Sequence, residues 1–203
     1  LNQFVGNAWS TGGSLNTARQ SLGGAGTQTA ALAFGGAPPV RAFTEQYDGS
    51  SWTEVGDMNT ARQLMGSCGT QTAALAFGGS TGTFVANTES WNGSAWTEVN
   101  DLNESKRIMA GAGTSTSAIS AGGDTPPNTA NTETWNGSSW FEVNAMNSGR
   151  NGSGGMGTET AALSAGGTEP PGRTAVVESW NGAIWTEVND LSVSRGDPAA
   201  AGS

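Results

Sequence analysis

The sequence predicts an all-β fold, a β-propeller built from four-stranded antiparallel units of about 44 residues. Two periodic observations and one local pattern predict it. Gly-Gly doublets recur at steps of 43, 44 and 44 residues, and tryptophans recur with nearly the same period. Between them lie short alternating apolar segments bounded by glycine-rich turns, which is typical of short strands in a packed all-β domain.

The periodic markers occupy fixed places in each unit. The glycine doublets are Gly35-Gly36, Gly78-Gly79, Gly122-Gly123 and Gly166-Gly167, and the tryptophans are Trp9, Trp52, Trp96, Trp140 and Trp185. Another aromatic residue precedes each tryptophan by five positions, and a basic residue follows it by ten; the basic residues are Arg19, Arg62, Lys106, Arg150 and Arg195. Independent markers that share one period indicate a repeat architecture.

The first half of each unit predicts two strands. Residues Ser21 to Thr27 form a small-residue segment that suits a tightly packed inner strand. Thr29 to Phe34 alternates, so that Leu32 and Phe34 share one face and the intervening alanines share the other. Because both faces are apolar, we expect the bulky face of one sheet to pack on the alanine face of the next.

The second half predicts a hairpin. Thr44 to Tyr47 and Trp52 to Val55 are separated by Asp48-Gly49, and the other units have Asn-Gly at the corresponding turn: Asn92-Gly93, Asn136-Gly137 and Asn181-Gly182. Asn-Gly is a strong hairpin signal, since both residues tolerate positive φ. This hairpin brings the two aromatic markers of each unit together as a cross-strand pair.

The ordered set of markers resembles the kelch repeat. Gly-Gly after an apolar strand, then Glu and an aromatic residue, a tryptophan, a hydrophobic residue and a basic residue appear here as Gly35-Gly36, Glu45, Tyr47, Trp52, Met58 and Arg62. The same order continues through Glu89, Glu133 and Glu178, so the resemblance covers essentially the whole chain. It implies that the Glu and basic markers form charge-assisted ties within or between blades.

We predict a single domain over residues 1–203, with repeats at approximately 19–61, 62–105, 106–149 and 150–194. Residues 1–18 and 195–203 form a partial fifth unit, which lacks a second strand and the loop after it. Two interpretations stay open: a five-bladed ring closed by pairing of the two termini, or a segment of a longer array.

Composition disfavours several function classes. The net charge is −9 with one lysine, so no nucleic-acid partner is expected. The chain has no apolar run long enough to span a bilayer, and its N-terminal residues show no signal-peptide pattern. Histidine is absent and Cys68 is the single cysteine, in an apolar register. We therefore predict no catalytic residues, no metal site and no cofactor.

Candidate binding residues lie where the repeats diverge. The loops after the Gly-Gly doublets differ from unit to unit, and the side chains to test first are Arg41, Phe84, Asp124 and Arg173. We expect these loops to emerge on the same face as the connections between units. Loops on a rigid scaffold commonly carry binding function.

The sequence therefore predicts a non-enzymatic binding or structural module. Near-identical repeats, a single lysine and an acidic, Ser/Thr/Gly-rich composition favour display outside a cell or on a virus particle, with a glycan or protein ligand. Such a module could also be a component of a larger assembly. The alternative is an intracellular adaptor that binds a peptide on the loop face.

Overall fold

The chain forms the predicted all-β propeller. The computed structural model describes residues 2–5 and 8–202, with side chains described from residue 11 onward. The strands, in chain order, are β1 (Asn2–Val5), β2 (Ala8–Thr11), β3 (Gly23–Thr27), β4 (Ala30–Phe34), β5 (Thr44–Tyr47), β6 (Trp52–Glu54), β7 (Gly66–Thr70), β8 (Ala73–Phe77), β9 (Thr88–Trp91), β10 (Trp96–Val99), β11 (Ala110–Gly113), β12 (Ala118–Ala121), β13 (Thr132–Trp135), β14 (Trp140–Val143), β15 (Gly154–Thr158), β16 (Ala161–Ala165), β17 (Thr168–Glu169), β18 (Gly172–Arg173), β19 (Val177–Trp180) and β20 (Trp185–Val188).

Four complete blades account for most of these strands. Their orders are β3-β4-β5-β6, β7-β8-β9-β10, β11-β12-β13-β14 and β15-β16-β19-β20, and neighbouring strands are antiparallel. We call them blades 1 to 4. The short hairpin β17–β18 lies within a loop of blade 4, where no strand was predicted. In the N-terminal hairpin β1–β2 the backbone register pairs Phe4 with Trp9, but the predicted contact between their rings lies outside the described side chains.

Neighbouring blades pack through unlike faces, as predicted. Leu32 and Phe34 of blade 1 share a buried cluster with Ala74, Ala76 and the two tryptophans of blade 2. The same arrangement recurs between blades 2 and 3 and between blades 3 and 4. Alternation along each second strand produces this packing, because successive side chains point to opposite faces of the sheet.

The Gly-Gly doublet ends the second strand where only glycine fits. Gly35 and Gly36 have φ of 66° and 105°, a region that side chains rarely adopt. A Cβ on Gly36 would lie 2.8 Å from the carbonyl oxygen of Gln20, so the chain also needs a residue without a side chain there. The doublet thereby allows the following loop to lie against the connection between blades.

The hairpin turns differ from the prediction in their mechanism. Tyr47 pairs with Trp52 and Trp91 with Trp96, so each turn has four residues rather than two. In the second blade the turn glycine, Gly93, has positive φ, whereas Asn92 is not among the positive-φ residues of the described chain. Instead, the Asn92 side-chain oxygen accepts hydrogen bonds from the backbone N–H groups of Ser94 and Ala95.

A relay of backbone hydrogen bonds links successive blades. The N–H of Leu64 donates to the carbonyl of Ser21, Ile108 to Leu64, Gly152 to Ile108, and Asp197 to Gly152, over 2.8–2.9 Å. All five residues have φ between 52° and 61°. The relay therefore extends past blade 4 into the C-terminal segment.

The fifth unit is not confirmed as a blade. Among the described residues, segment 196–202 belongs to no strand, although the N–H of Gly157 donates to the carbonyl of Gly202. The described part of the chain also contains no helix with the length and apolar character needed to cross a bilayer.

Candidate binding face

The loops after the second strands meet the connections between blades on one face, which we call the loop face. The N–H groups of Gly36, Gly79, Gly123 and Gly167 each donate to the carbonyl of the periodic basic residue that begins the next unit, over 2.7–2.9 Å. In addition, the residue after each doublet forms a β-bridge to the residue after the preceding basic marker. Variable side chains are therefore held on a fixed backbone frame.

Two of the predicted residues, Phe84 and Asp124, both contact the side chain of Arg107, which was not predicted. The guanidinium of Arg107 lies over the Phe84 ring at 4.6 Å from its centroid and pairs with the Asp124 carboxylate at 2.8 Å. Its Nε donates a second hydrogen bond to the same carboxylate oxygen at 2.8 Å. The Arg107 and Asp124 side chains are 32% and 17% exposed. We call these three residues the Arg107 cluster.

Amide side chains occupy the next position along the loop face. Asn151 stands at the repeat position of Arg107 and donates to the side-chain oxygen of Asn128 at 2.7 Å. The Asn128 amide in turn donates to the carbonyl of Thr168 at 2.9 Å. A charged pair within the third repeat, whose arginine stacks on Phe84 of blade 2, is thus followed by a neutral hydrogen-bonded chain between blades 3 and 4.

The other two predicted residues make separate contacts. The Arg41 guanidinium stacks over the Phe43 ring at 5.0 Å, and its buried Nε has no hydrogen-bond partner. Arg173 is exposed on β18, and its Nε lies beside Gly196, 3.3 Å from where a side-chain Cβ at that glycine would be. The four predicted residues do not form one cluster around a common point.

Sequence reasoning missed Arg107, although a signal for it exists. The position after the basic marker holds Gln20, Gln63, Arg107 and Asn151 in successive units, so it varies like the loops. The sequence prediction selected only the segments after Gly-Gly, and Arg107 lies outside them. The bridge that brings Arg107 to Asp124 spans 17 residues of sequence.

The periodic ion pairs form the predicted ties. Arg19 pairs with Glu45, Arg62 with Glu89, Lys106 with Glu133 and Arg150 with Glu178, and each side chain in these pairs is at most 2% exposed. The second oxygen of each carboxylate accepts from an asparagine backbone N–H and amide, for example those of Asn59. The basic residues of these pairs lie on the connections between blades, next to the loop face.

The Glu45 tie illustrates the electrostatics. Burial acts to raise the pKa of Glu45, but the hydrogen bond from the Asn16 N–H and the interaction with Arg19 outweigh it, and the pKa lies below its ordinary value. The carboxylate is therefore held in its charged form by its partners.

An open cleft of about 270 Å³ lies beside the tie of the third blade. It is lined by Asn103, Glu104, Asn131, Glu133 and Glu142. Burial lowers the pKa of the neighbouring Lys106, while Glu133 acts in the opposite direction. In the described chain, no three His, Cys, Asp or Glu side chains are arranged to hold a metal ion, this cleft included.

Cys68 lies in the core, as its apolar register predicts. It is 7% exposed, and burial raises the pKa of its thiol to about 12. Because the thiolate is the reactive form, a thiol with so high a pKa is a poor nucleophile.

Comparison of the chain with protein-family models gives no match, and comparison with curated proteins gives none either.

Proposed function

We propose that this chain is a non-enzymatic binding module of the kelch-propeller type that recognises a glycan or a protein through its loop face. We further propose that it is displayed outside a cell or on a virus particle. The observation that carries the proposal is the Arg107 cluster, in which side chains specific to one blade junction stand on a backbone that is otherwise repeated.

The chemistry of the cluster supports a ligand of mixed polarity. Phe84 supplies apolar surface, Arg107 supplies directional N–H donors, and Asp124 supplies acceptors. The pairing of Arg107 with Asp124 holds both groups in place before a ligand arrives, which lowers the entropic cost of binding. The adjacent amides of Asn128 and Asn151 extend the row of donors and acceptors.

The acidic, lysine-poor composition supports the proposed location. A net charge of −9 disfavours nucleic acids and anionic membrane surfaces as partners. Sugars and protein surfaces are compatible with such a charge. The repeated Ser, Thr and Gly residues suit a stable displayed scaffold.

A glycan array probed with the purified chain tests the proposal. We expect binding to one class of glycan, with Arg107→Ala lowering the affinity about tenfold or more, the loss expected when an anchoring charged group is removed. Glu187→Ala is the matched control, because Glu187 is an exposed charged residue on the outer strand β20, away from the cluster.

The folding of the variants must be verified first. Arg107→Ala removes a partly exposed ion pair, so its free energy of unfolding should fall by no more than about 1 kcal/mol. If no glycan binds, the same variants are tested with surface proteins of candidate host cells. Binding that is unchanged by Arg107→Ala would contradict the proposal. Capture of a cytosolic partner that depends on Arg41 and Arg173 would instead support a peptide-binding adaptor.

A further inference from the structure

The chain contains four Asn-Gly pairs, and the structure places them in two settings. Three of them form the hairpin turns of blades 2, 3 and 4, with the asparagine exposed in each: Asn92-Gly93, Asn136-Gly137 and Asn181-Gly182. The fourth, Asn151-Gly152, lies on the backbone relay, where Gly152 is buried. The glycine nitrogen of such a pair is held close enough along the chain to attack the side-chain amide of the asparagine. The two settings therefore predict different reactivity.

The side-chain carbonyl oxygen of the exposed asparagines is held by several donors. The Asn92 Oδ1 accepts the backbone N–H groups of Ser94 and Ala95, both at 3.0 Å, and the Ser94 hydroxyl at 2.9 Å. The Asn136 Oδ1 has the equivalent three partners at 2.9–3.0 Å. Donors fixed on a carbonyl oxygen stabilise the negative charge that develops there when a nucleophile adds to the carbonyl carbon.

Blade 1 supports this effect of the donors, because its turn has an aspartate in place of the asparagine. One oxygen of the Asp48 carboxylate accepts the N–H groups of Ser50 and Ser51 and the Ser50 hydroxyl, at 2.8–2.9 Å. These hydrogen bonds, with that from the Ser51 N–H first, hold the pKa of Asp48 below its ordinary value. The turn thus stabilises an anionic oxygen at this position and accommodates an aspartate with the same hydrogen bonds.

The nucleophile and the leaving group of the exposed turns are free to react. Within the described chain, the backbone N–H of Gly93 and the side-chain NH2 of Asn92 take part in no hydrogen bond, and the turns of Asn136 and Asn181 are alike in this respect. Attack by the glycine nitrogen and departure of the amide therefore break no existing contact.

Both groups are engaged at the fourth pair. The Gly152 N–H donates to the carbonyl of Ile108 at 2.8 Å, as part of the relay between blades. The Asn151 side-chain NH2 donates to the Asn128 side-chain oxygen at 2.7 Å. Reaction at this pair requires that the relay first open locally, which costs free energy.

We propose that Asn92, Asn136 and Asn181 are sites of spontaneous modification, at which each turn converts its asparagine into a cyclic succinimide and then, with water, into aspartate or isoaspartate. The glycine nitrogen forms a bond to the asparagine Cγ, its proton passes through solvent to the departing amide, and the Cγ–Nδ2 bond breaks with release of ammonia. Water then adds to one of the two imide carbonyls and opens the ring. Nothing is oxidised or reduced, and the net reaction exchanges an amide for a carboxylate.

The number of donors predicts an order of rates. Asn181 keeps the N–H donors of Ala183 and Ile184 but has no hydroxyl donor, because alanine replaces the serine of the other two turns. Asn181 should therefore react about threefold more slowly than Asn92, the effect of one exposed hydrogen bond. Asn151 should react at least about tenfold more slowly than Asn92, since it must wait for local opening.

The modified turns lie away from the loop face. A Cβ on Gly93 would lie 3.3 Å from the carbonyl oxygen of Thr72, which belongs to the turn between β7 and β8. These turns are at the opposite end of each blade from the loops that follow the second strands. Each conversion adds a negative charge at that end and leaves the Arg107 cluster unaltered, so this proposal and the proposed loop-face function stand or fall separately.

Incubation of the folded chain in mildly alkaline buffer, followed by proteolysis and mass spectrometry, measures all four pairs in one sample. We expect conversion at Asn92 and Asn136 first, at Asn181 next and at Asn151 last. Conversion of Asn151 as fast as that of Asn92 would overturn the proposal, and so would exposed turns that stay unmodified when the denatured chain reacts. In denaturant the four rates should converge, because the turns and the relay are lost. The same order and ratios in denaturant would assign the difference to local sequence and overturn the proposal.

Variants of Ser94 test the role of the donors, with Asn136 of the same molecule as the internal reference. Ser94→Ala should lower the rate at Asn92 about threefold, to that of Asn181, by removing the hydroxyl donor. Ser94→Thr keeps a hydroxyl and should keep the rate. The turn of Asn181 already contains alanine at this position, so Ser94→Ala should keep the unfolding transition of the parent chain. An unchanged or faster rate at Asn92 in Ser94→Ala, or an equal fall in Ser94→Thr, would overturn the proposal.

Discussion

Blade 4 shows the periodic ion pair in its most complete form. The Arg150 guanidinium bonds the Glu178 carboxylate at 2.7 Å and the Ser148 hydroxyl at 3.1 Å. Its other terminal nitrogen bonds the carbonyl and hydroxyl of Ser164 at 3.2 and 3.3 Å. One planar cation thereby joins a connection between blades to the second and third strands.

Blade 3 makes the same ion pair with lysine, but the lysine forms fewer hydrogen bonds than Arg150 does. The Lys106 ammonium lies 3.3 Å from the Glu133 carboxylate and reaches the Asn131 carbonyl at 3.5 Å. The buried hydroxyl of Ser120, counterpart of Ser164, has no hydrogen-bond partner in the described structure. The two blades thus differ in how many hydrogen bonds the cation adds to the ion pair, and the cleft of blade 3 lies beside the tie made by lysine.

The sharpest way to break the comparison is to remove the complete tie. Arg150→Ala leaves Glu178 as a buried carboxylate without its cation, so we expect a loss of about 3–5 kcal/mol in the free energy of unfolding. Chemical denaturation followed by tryptophan fluorescence measures it. Lys106→Ala should cost less, and an equal or larger loss there would mean that the additional hydrogen bonds of the arginine add nothing.

The tie of blade 1 allows a test by pH. Glu45→Gln should lower stability by about 1–3 kcal/mol near neutral pH, because it weakens charge-assisted hydrogen bonds from Asn16 and Arg19. The folded-state pKa of Glu45 is depressed, so its contribution is complete above the unfolded-state pKa of about 4.3 and is lost as pH falls through the lower folded-state value.

Denaturation curves of the parent chain and of Glu45→Gln should therefore converge in acid. A difference that stays constant from neutral pH down to about pH 2, below the ordinary range of a glutamate, would contradict the electrostatic origin of the tie.

Placing an arginine in blade 3 should sharpen the comparison in the other direction. Lys106→Arg is expected to gain about 1 kcal/mol, because the guanidinium can reach the carbonyl and hydroxyl of Ser120 as Arg150 reaches those of Ser164. Equilibrium denaturation measures the gain. A loss of stability would show that blade 3 has repacked around lysine.

The smallest effect is expected at the fifth basic marker. Arg195 keeps the period of the other four but is exposed, so Arg195→Ala should change stability by less than about 0.5 kcal/mol. The same denaturation experiment applies. A loss comparable to that of Arg150→Ala would mean that Arg195 has a buried carboxylate partner after all.

Most of the fold could be predicted from local patterns in the sequence. The alternation at Leu32 and Phe34 predicted both the second strand and the unlike faces through which blades pack, since a strand has a period of two. The role of Asn92 was wrong in detail, because the same Asn-Gly pair serves two-residue and four-residue turns. Only the register of Trp91 with Trp96 distinguishes them.

The candidate site was less predictable because it is made by contacts between units. Phe84 and Asp124 were selected as variable loop residues, but nothing along the chain states that Arg107 joins them. A bridge between the residues after two different markers creates that contact. The sequence also could not predict that the Ser120 hydroxyl has no hydrogen-bond partner in the described structure, because this depends on how far the Lys106 side chain reaches.

The backbone relay through Ser21, Leu64, Ile108, Gly152 and Asp197 has a consequence for how such a chain can evolve. Each joint uses main-chain atoms alone, and five chemically unrelated residues, Ser, Leu, Ile, Gly and Asp, occupy it with positive φ. Copying one unit within a gene would create one more joint of the same kind, because the joint does not depend on a particular side chain. Growth or loss of whole units is therefore a short mutational step for this architecture.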